Sequence, residues 1–336
     1  YGRQRTVRGC CRTGYLMKRL AAILALLPFA ANAADLLYFE AQGIAGWSSA
    51  ENKAVYHSAS KHDAMQKNSI GFDWLRKFSG QSGDWASAAL QMRLAYNDSD
   101  NDFTPQVYNA WFKVKTRAGD VWAGHNRIAF GLASYWDTHA DLLGDMPMQG
   151  VGFDRDWGMG WSLDTADGNL SASATTGSGM PLRAYGNKIF AARAAKGVLN
   201  YDNYTAGLSV MAGKTLDTMG YKIMNRSPKN QWLIGFDGAL NRNNLEHKAE
   251  FDAGQYDGEP FYAALYRLTV KWDAEERLAT EAQAAYVNKA KTENYTAGGA
   301  VAYKLTGDLT ARLMVQHRSQ NAENVYMGQL YWYFPM

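Results

Sequence analysis

Apolar and polar residues alternate with a period of two along most of this 336-residue chain. In one such stretch, Tyr262, Tyr266 and Trp272 fall on one face while Arg267 and Lys271 fall on the other. This period is typical of β-strands, because successive side chains point to opposite faces of a sheet. The sequence therefore predicts an all-β protein, which is either a soluble sandwich or a membrane barrel.

The segments between the strands decide between these two architectures. About sixteen strands can be counted, and the segments that join them alternate between short turns and mostly longer loops. The longer loops are expected at 47–68, 97–105, 132–149, 177–186, 213–229, 256–259, 289–294 and 319–323. Short turns at one rim and long loops at the other are typical of transmembrane barrels, whereas a sandwich has no reason to keep this alternation.

Aromatic residues near the strand ends support the barrel. Those on the apolar face are Trp122, Trp232, Tyr262, Trp272, Tyr286, Tyr326, Trp332 and Phe334. Aromatic side chains concentrate where a membrane surface meets water. We therefore predict an all-β fold, a closed antiparallel transmembrane β-barrel of about 16 strands with short periplasmic turns and long extracellular loops.

The first part of the chain has a composition of its own. Residues 1–16 precede the first methionine and contain both cysteines, so we interpret them as an upstream, non-native leader. Residues 17–33 contain two basic residues, an apolar run and a small-residue cleavage site, which predict a secretory signal peptide. The barrel is then expected over 34–336. Six of the 35 Lys and Arg residues precede residue 34, so the net positive charge of the chain comes from this first part. We therefore do not predict nucleic-acid binding from the charge.

One stretch, from Val121 to Gly150, combines an alternating run with a long acidic loop. Trp122, Ile128 and Phe130 fall on the apolar face of the run. His125 and Arg127 fall on the opposite face, which in a barrel points to the lumen. The loop at 132–149 follows directly and is the third of the long loops.

Two motifs carry a resemblance to bacterial outer-membrane porins, and it extends over the whole chain after the signal peptide. The run Gly119-Asp-Val-Trp-Ala-Gly124-His125-Asn126 resembles the strand that enters the constriction loop of these porins, with His and Asn where Arg and Gln are usual. The acidic loop motif Pro-Glu-Phe-Gly-Gly of the enteric general porins is missing. The last strand, VYMGQLYWYFPM, is similar to the terminal signal that the outer-membrane insertion machinery reads.

The resemblance implies a porin in the outer membrane of a Gram-negative bacterium, surrounded by lipid and assembled as a homotrimer, with no cofactor. Small hydrophilic solutes and ions are expected to diffuse through a water-filled channel that the inward loop 132–149 constricts. Selectivity in such channels comes from pore width and from lumen charges. By their faces and positions, the expected constriction residues are Arg93, Lys113, His125, Arg127 and Arg312 on the wall, and Asp137, Asp141 and Asp145 on the loop.

Other functions remain open at this point. The basic lumen residues also allow a substrate-selective channel, for example for an anion such as phosphate. A scaffold barrel that sheathes a partner such as a cytochrome is a further alternative. Ser134 lies near His125, but their spacing matches no catalytic triad, so we predict no enzyme activity. His57, His62 and Asp63 are too loosely spaced to predict a metal site.

Overall fold

The computed structural model describes residues 33–58, 66–81, 83–98 and 100–336, in which the strands form one sheet. The expected leader at 1–16 and signal peptide at 17–33 lie outside these residues, apart from Ala33. The strands are β1 (Ala33–Ser48), β2 (Lys53–Val55), β3 (Ser69–Gly80), β4 (Gly83–Asn97), β5 (Asp102–Thr116), β6 (Gly119–Arg127), β7 (Arg155–Thr165), β8 (Gly168–Thr175), β9 (Lys188–Lys196), β10 (Tyr204–Met219), β11 (Lys222–Arg242), β12 (Leu245–Tyr256), β13 (Glu259–Lys271), β14 (Leu278–Lys289), β15 (Thr292–Lys304), β16 (Leu309–Arg318) and β17 (Glu323–Pro335).

Helical structure in the described ranges is short. It consists of α1 (Leu199–Asp202) and 3-10 turns at Leu132–Ser134, Pro147–Gln149 and Gln320–Ala322. No helix in the part of the chain that the structure describes is long and apolar enough to cross a membrane.

The sheet closes on itself. Neighbouring strands pair antiparallel, and β17 returns to pair with β1 from Tyr38 opposite Pro335 to Ser48 opposite Val325. β2 is a short additional strand beside the end of β1. Sixteen strands, β1 and β3–β17, therefore form the wall, which confirms the predicted closed antiparallel barrel. Closure pairs the backbone groups that an open sheet would leave exposed at its edges, as a strand-built membrane protein requires.

The outer surface of the barrel is apolar and the alternate side chains point inward. On β11, Trp232, Ile234 and Phe236 are 44%, 50% and 53% exposed, whereas Leu233 and Asp237 are buried. Most of the predicted surface aromatics are exposed in the same way, namely Trp232, Tyr262, Trp272, Tyr286, Tyr326 and Trp332. An apolar exterior over a closed sheet is the surface that lipid requires.

Trp122 is an exception, and its predicted outer position is wrong. It is buried opposite Lys113, and its ring fills the space that a Cβ at Gly160 would occupy. The neighbouring residues Val121 and Ala123 are exposed instead. Trp122 therefore shares the inner face with Lys113, because residues directly opposite in a ladder point the same way.

A glycine pair disturbs the alternation just beyond Trp122. Gly124, with φ +125°, lies opposite Gly158. A Cβ at Gly124 or at Gly158 would lie 2.1 or 2.3 Å from a carbonyl oxygen of the adjacent strand. The sheet is so sharply deformed here that only glycine fits. The exposed face of Val121 and Ala123 does not continue to His125, which is completely buried.

Tyr108 breaks the alternation on β5. Met92 pairs with Val107 and Gln91 pairs with Asn109, so Tyr108 is the extra residue of a β-bulge. The sequence places Tyr108 on the outer face with Ala110. In the structure it is 1% exposed and its hydroxyl contacts groups inside the barrel.

The two rims differ mainly in the first half of the chain. The loop rim, defined by the segments 49–68, 98–101, 128–154 and 176–187, carries the long connections, and the turn rim at the opposite end carries short ones. In the second half the loop rim also has tight turns, at 220–221 and 290–291. The expected loops at 213–229 and 289–294 are therefore too long. β10 and β11 continue through the polar stretch at 213–229, where backbone pairing persists without apolar alternation.

Candidate pore constriction

The segment between β6 and β7, residues 128–154, folds into the barrel, and we call it the inner segment. It includes the loop predicted at 132–149 and extends it at both ends. Its side chains or backbone bond to Glu40 on β1, Ser173 on β8, Glu250 on β12 and Gln283 on β14. Only a segment inside the cylinder can reach strands on all sides of the wall, so the inner segment lies across the lumen.

An apolar patch on the inner face of β9–β14 holds one part of the inner segment. Phe130, Leu132 and Trp136 pack against it, and each is less than 9% exposed. The patch consists of Ile189, Ala191, Met211, Leu233, Tyr256, Phe261, Ala263, Leu265, Ala285 and Val287. Each large apolar side chain that is removed from water contributes about 1.5–3 kcal/mol. Hydrophobic burial therefore fixes this part of the inner segment to one side of the wall.

The entry of the inner segment is held by backbone hydrogen bonds. The Gly131 N–H donates to Ser209 Oγ at 3.0 Å, and the Leu132 N–H donates to Glu250 Oε2 at 3.1 Å. Gly131 has φ +58°, and a Cβ there would lie 1.8 Å from Glu250 Oε1. Glycine is required at this position both by the left-handed backbone and by the close approach of the carboxylate.

Asp137 joins the middle of the inner segment to the ends of β6 and β7. Its Oδ2 lies 2.6 Å from Arg127 Nη2 and 3.4 Å from Arg155 Nη2. Partial burial acts to raise the pKa of Asp137, but the Arg155 and Arg127 guanidinium groups outweigh it and hold the pKa well below its usual range. Asp137 is therefore an anion whose charge is matched by the adjacent wall.

Tyr108 supports the same group of charges from β5. The Arg155 guanidinium lies 3.6 Å from the centre of the Tyr108 ring, and the Tyr108 hydroxyl donates to Asp154 at 3.0 Å. Arg155 also donates to Asn109 at 2.8 Å. The bulge at Tyr108 thus brings this ring under the Arg155 guanidinium.

The inner segment reaches β1 through His139. Its Nε2 lies 2.7 Å from Glu40 Oε1, and both side chains are buried. Gln91 on β4 donates to the other Glu40 oxygen at 3.2 Å, and the Tyr108 ring packs 4.2 Å from the imidazole. The contact fixes the inner segment to the side of the wall formed by β1 and β4.

Arg267 on β13 binds the inner segment on the other side of the barrel. Its guanidinium donates to Asp141 Oδ2 at 3.1 Å and to the Leu143 carbonyl at 2.6 Å. It also lies 4.3 Å from the centre of the Trp136 ring. Gln283 adds a hydrogen bond to the Gly144 carbonyl at 2.8 Å. The inner segment is therefore attached to opposite walls by charged and polar side chains.

Several of the predicted constriction residues are brought together in this way. Arg127 meets Asp137, while Asp141 meets Arg267, a residue of the polar face of β13. Lys113 lies on the inner wall with its ammonium 5.5 Å from the Trp111 ring centre. Arg93 is buried on β4 and donates to Gln106 Oε1 at 2.9 Å.

Three other predicted residues lie apart from these contacts. Arg312 is on β16, where it donates to Gln329 at 3.1 Å. His125 stacks on Trp157 at 4.8 Å, and neither ring nitrogen has a hydrogen-bond partner among the described residues.

Asp145, the third of these residues, is 1% exposed and accepts hydrogen bonds from Thr138 and Met148 within the inner segment. Burial, with the nearby charge of Asp154, raises its pKa to about 7.

Sequence reasoning does not single out Glu40 or Arg155, although both bind the inner segment. For Glu40 a signal exists, because Glu40 and Gln42 alternate with Phe39 and Ala41 on β1. Arg155 carries no such signal, since it is the first residue of β7, where the alternation of the strand has only begun.

A cavity of ≈380 Å³ lies at the loop rim beside the inner segment. Its lining is mixed, with Met148 and Phe153 next to Asp154, Arg155 and Lys289. In the described part of the chain, no group of three or more His, Cys, Asp or Glu side chains could hold a metal ion. Of the loop residues considered for a metal, His62 and Asp63 lie outside the described residues.

Comparison with known proteins places the fold. No family model and no curated protein sequence matches the chain. Solved structures do match, including an OmpF of Salmonella typhi in complex with daunomycin (TM-score 0.64, 10% identity, 89% of this chain and 97% of that chain). The outer-membrane channel DcaP of Acinetobacter baumannii matches with a TM-score of 0.63 and 11% identity, over 92% of this chain and 99% of that chain. An anion-selective porin from Comamonas acidovorans matches with a TM-score of 0.62 and 10% identity, over 90% of this chain and 100% of that chain. The fold is that of the bacterial outer-membrane porins.

Proposed function

We propose that the chain forms a channel in the Gram-negative outer membrane, through which small hydrophilic solutes and ions diffuse passively. The observation that carries this proposal is the inner segment, which crosses the lumen and is attached to opposite walls by Asp137, His139 and Asp141. A segment held in this way narrows a water-filled barrel without entering the wall. The apolar outer surface and the porin fold support the same function.

Selectivity, in this proposal, depends on which lumen charges remain after the inner segment is in place. Arg127 and Arg267 bind carboxylates of the inner segment, and Arg193 forms two hydrogen bonds to Asp237. Because opposite charges lie next to each other in these pairs, they produce little electric field across the lumen. Lys113 and Arg312 contact an aromatic ring or an amide instead, which leaves their positive charges facing the lumen. This difference favours a preference for anions, which is the second candidate function.

The remaining parts of the proposal follow from the barrel. Its outer face contacts lipid, and three copies are expected to associate into a homotrimer. β17 is expected to be recognised by the outer-membrane insertion machinery, after removal of a signal peptide at 17–33. A channel of this kind carries out no covalent chemistry and needs no cofactor. The inner segment occupies the space that a sheathed partner protein would need, which disfavours a scaffold role.

Single-channel recording of the refolded protein in planar bilayers tests the proposal. We expect stepwise conductance in potassium chloride, and we expect neutral sugars of increasing size to stop reducing the current above a cutoff that gives the pore radius. A reversal potential in a salt gradient then separates a general channel from an anion-preferring one. Folded barrels that insert without any conductance step would overturn the channel function.

A further inference from the structure

Part of the connection between β1 and β3 is buried, although it belongs to the loop rim. We call its described residues, 49–58 and 66–68, the first loop. Its two arms meet in an antiparallel bridge between His57 and Lys67. Beside this bridge, Ser58 and Gln66 are 1% and 0% exposed. A loop that projects into water exposes such polar side chains, so this part of the first loop is packed against the rest of the protein.

The first loop has an apolar contact with the inner segment. Val55, the last residue of β2, belongs to one buried cluster with Leu142 and Leu143 of the inner segment. Ile44 on β1 and Val325 on β17 complete this side of the cluster. The first loop therefore fills space between the inner segment and the wall at the seam of the barrel.

The Gln66 side chain adds a polar contact with the inner segment. Its Nε2 donates to the carbonyl of Thr138 at 3.1 Å and to that of Asp141 at 2.5 Å. Its Oε1 accepts a hydrogen bond from the Ser58 hydroxyl at 3.4 Å. Thr138 and Asp141 belong to one turn, in which the Asp141 N–H donates to the Thr138 carbonyl at 3.0 Å. Both donors of a fully buried amide are thus used on the backbone of the inner segment.

The first loop is also attached to the wall independently of the inner segment. The Arg318 guanidinium on β16 donates to the Ser58 carbonyl. On the other arm of the barrel mouth, His57 Nδ1 lies 2.9 Å from Oδ2 of Asp98, just after β4. Because these contacts come from two separate strands, the position of Gln66 is set by the wall and not by the inner segment alone.

The open part of the mouth lies elsewhere. The cavity of ≈380 Å³ is lined by the inner segment and by residues of β10, β11 and β14–β16, and no described residue of the first loop lines it. The first loop thus fills one part of the mouth, and the cavity is a part that it leaves open. A shift of the inner segment towards or away from the first loop would change the width of that opening.

We propose that the first loop positions the inner segment, with Gln66 as its positioning residue, and that this contact helps to set the width of the pore. This inference rests on the proposed channel function and names a second element that controls it. The inner segment has no regular structure over 138–141 apart from the turn itself, so its backbone depends on outside partners there. An amide that joins two carbonyls of one turn fixes both the shape of the turn and its distance from the wall.

Two substitutions of Gln66 test the proposal with the refolded full chain in planar bilayers. Gln66→Ala removes the amide, and we expect larger neutral sugars to enter the channel and the current noise to increase. Gln66→Glu keeps the length of the side chain but offers no donor when it is ionised, so it should have the same effect at pH 7. At low pH the introduced carboxyl gains an O–H donor, and the sugar cutoff should return towards that of the wild type at the same pH. Gln81→Glu, in the exposed turn between β3 and β4, is the matched control and should equal the wild type at both pH values.

Hydrogen exchange in detergent gives a readout that does not need conductance. The Asp141 N–H lies in the turn that Gln66 holds, and its exchange should be about tenfold faster in Gln66→Ala. A sugar cutoff equal to that of the wild type in both Gln66 variants overturns the positioning role and leaves the channel intact. Faster exchange in barrels that give no conductance, wild type included, overturns the channel and leaves the contact through Gln66 intact. Heat-modifiable migration checks the folding of each variant, and Gln66→Glu supplies the comparison if Gln66→Ala does not fold.

Discussion

The Arg267 guanidinium on β13 donates to the Asp141 carboxylate at 3.1 Å and so joins the wall of the barrel to the inner segment. Arg267 is 1% exposed and has further hydrogen bonds to Gln283 and to the Leu143 carbonyl. These three hydrogen bonds of Arg267 go either to the inner segment or to the neighbouring strand β14. Arg267 is therefore the side chain whose loss should affect the position of the inner segment most.

Replacing Arg267 with Ala should loosen the inner segment. Removal of one partner of a fully buried ion pair costs about 3–5 kcal/mol, because it leaves the other charge without compensation. Asp141 is 24% exposed, so water compensates part of its charge and the cost here should be smaller. Single-channel recordings should show a larger and noisier conductance, while the barrel still forms. Arg277→Ala, at an exposed turn between β13 and β14, is the matched control and should behave as wild type. An unchanged conductance in Arg267→Ala would show that the other contacts of the inner segment hold it in place without Arg267.

Replacing Arg127 with Ala should shift ion preference towards cations. The substitution removes one of the two guanidinium groups that hold Asp137, so the carboxylate contributes more of its negative charge to the lumen. We expect the reversal potential in a potassium chloride gradient to move towards the potassium equilibrium potential. The double variant Arg93→Ala/Arg127→Ala should move it further. Identical reversal potentials for wild type and both variants would remove these residues from the selectivity mechanism.

Asp145 predicts a dependence of stability on pH. Its pKa is raised from 3.8 to about 7 by burial and by Asp154, so the folded protein keeps this proton over an interval in which the unfolded chain has lost it. The free energy of unfolding should therefore fall as pH rises from about 4 to about 7 and level off above that. Asp145→Asn should remove this part of the dependence. Urea unfolding in detergent at pH 4, 5.5, 7 and 8 measures it, and parallel curves for the two proteins would contradict it.

Gly131→Ala should destabilise the entry of the inner segment. The residue has φ +58°, and the added methyl group would collide with Glu250 Oε1. Left-handed backbone strain alone costs about 1–3 kcal/mol. Hydrogen exchange should speed up at Gly131 and Leu132, whose N–H groups bond to Ser209 and Glu250. Gly43→Ala, where a Cβ meets nothing within 4 Å, is the control and should exchange normally.

The fold could be predicted from the sequence because lipid imposes a strict pattern on the outer face. Residues such as Trp232 and Ile234 must be apolar wherever a strand crosses, and this constraint repeats on every strand. Trp122 and Tyr108 escape the prediction because a deformed glycine pair and a bulge shift the alternation locally. Such irregularities depend on how two strands pair, and a period of two in one strand carries no record of them.

The candidate constriction could be predicted only in outline. Alternating link lengths and a porin-like motif predict the loop at 132–149. The polar face of the strand before it predicts Arg127, and the acidic composition of the loop predicts Asp137. The apolar patch that holds the inner segment could not be predicted. Leu233 and Phe261 face the lumen, where polar residues are expected, and their apolar side chains are explained only by the inner segment that covers them. That covering is a tertiary contact between residues far apart in the chain. The run Trp232-Leu233-Ile234, apolar on both faces, is the signal it leaves in the sequence.

The seam between β1 and β17 joins the two ends of the described chain, with Tyr38 opposite Pro335. Every other pair of wall strands is made of chain neighbours linked by a connection, so this seam has the largest contact separation in the protein. Bringing such distant segments together carries the greatest chain-entropy penalty. We therefore expect this seam to form last during assembly, so that the rings of Tyr38 and Tyr333, which stack across it, come together only in that final step.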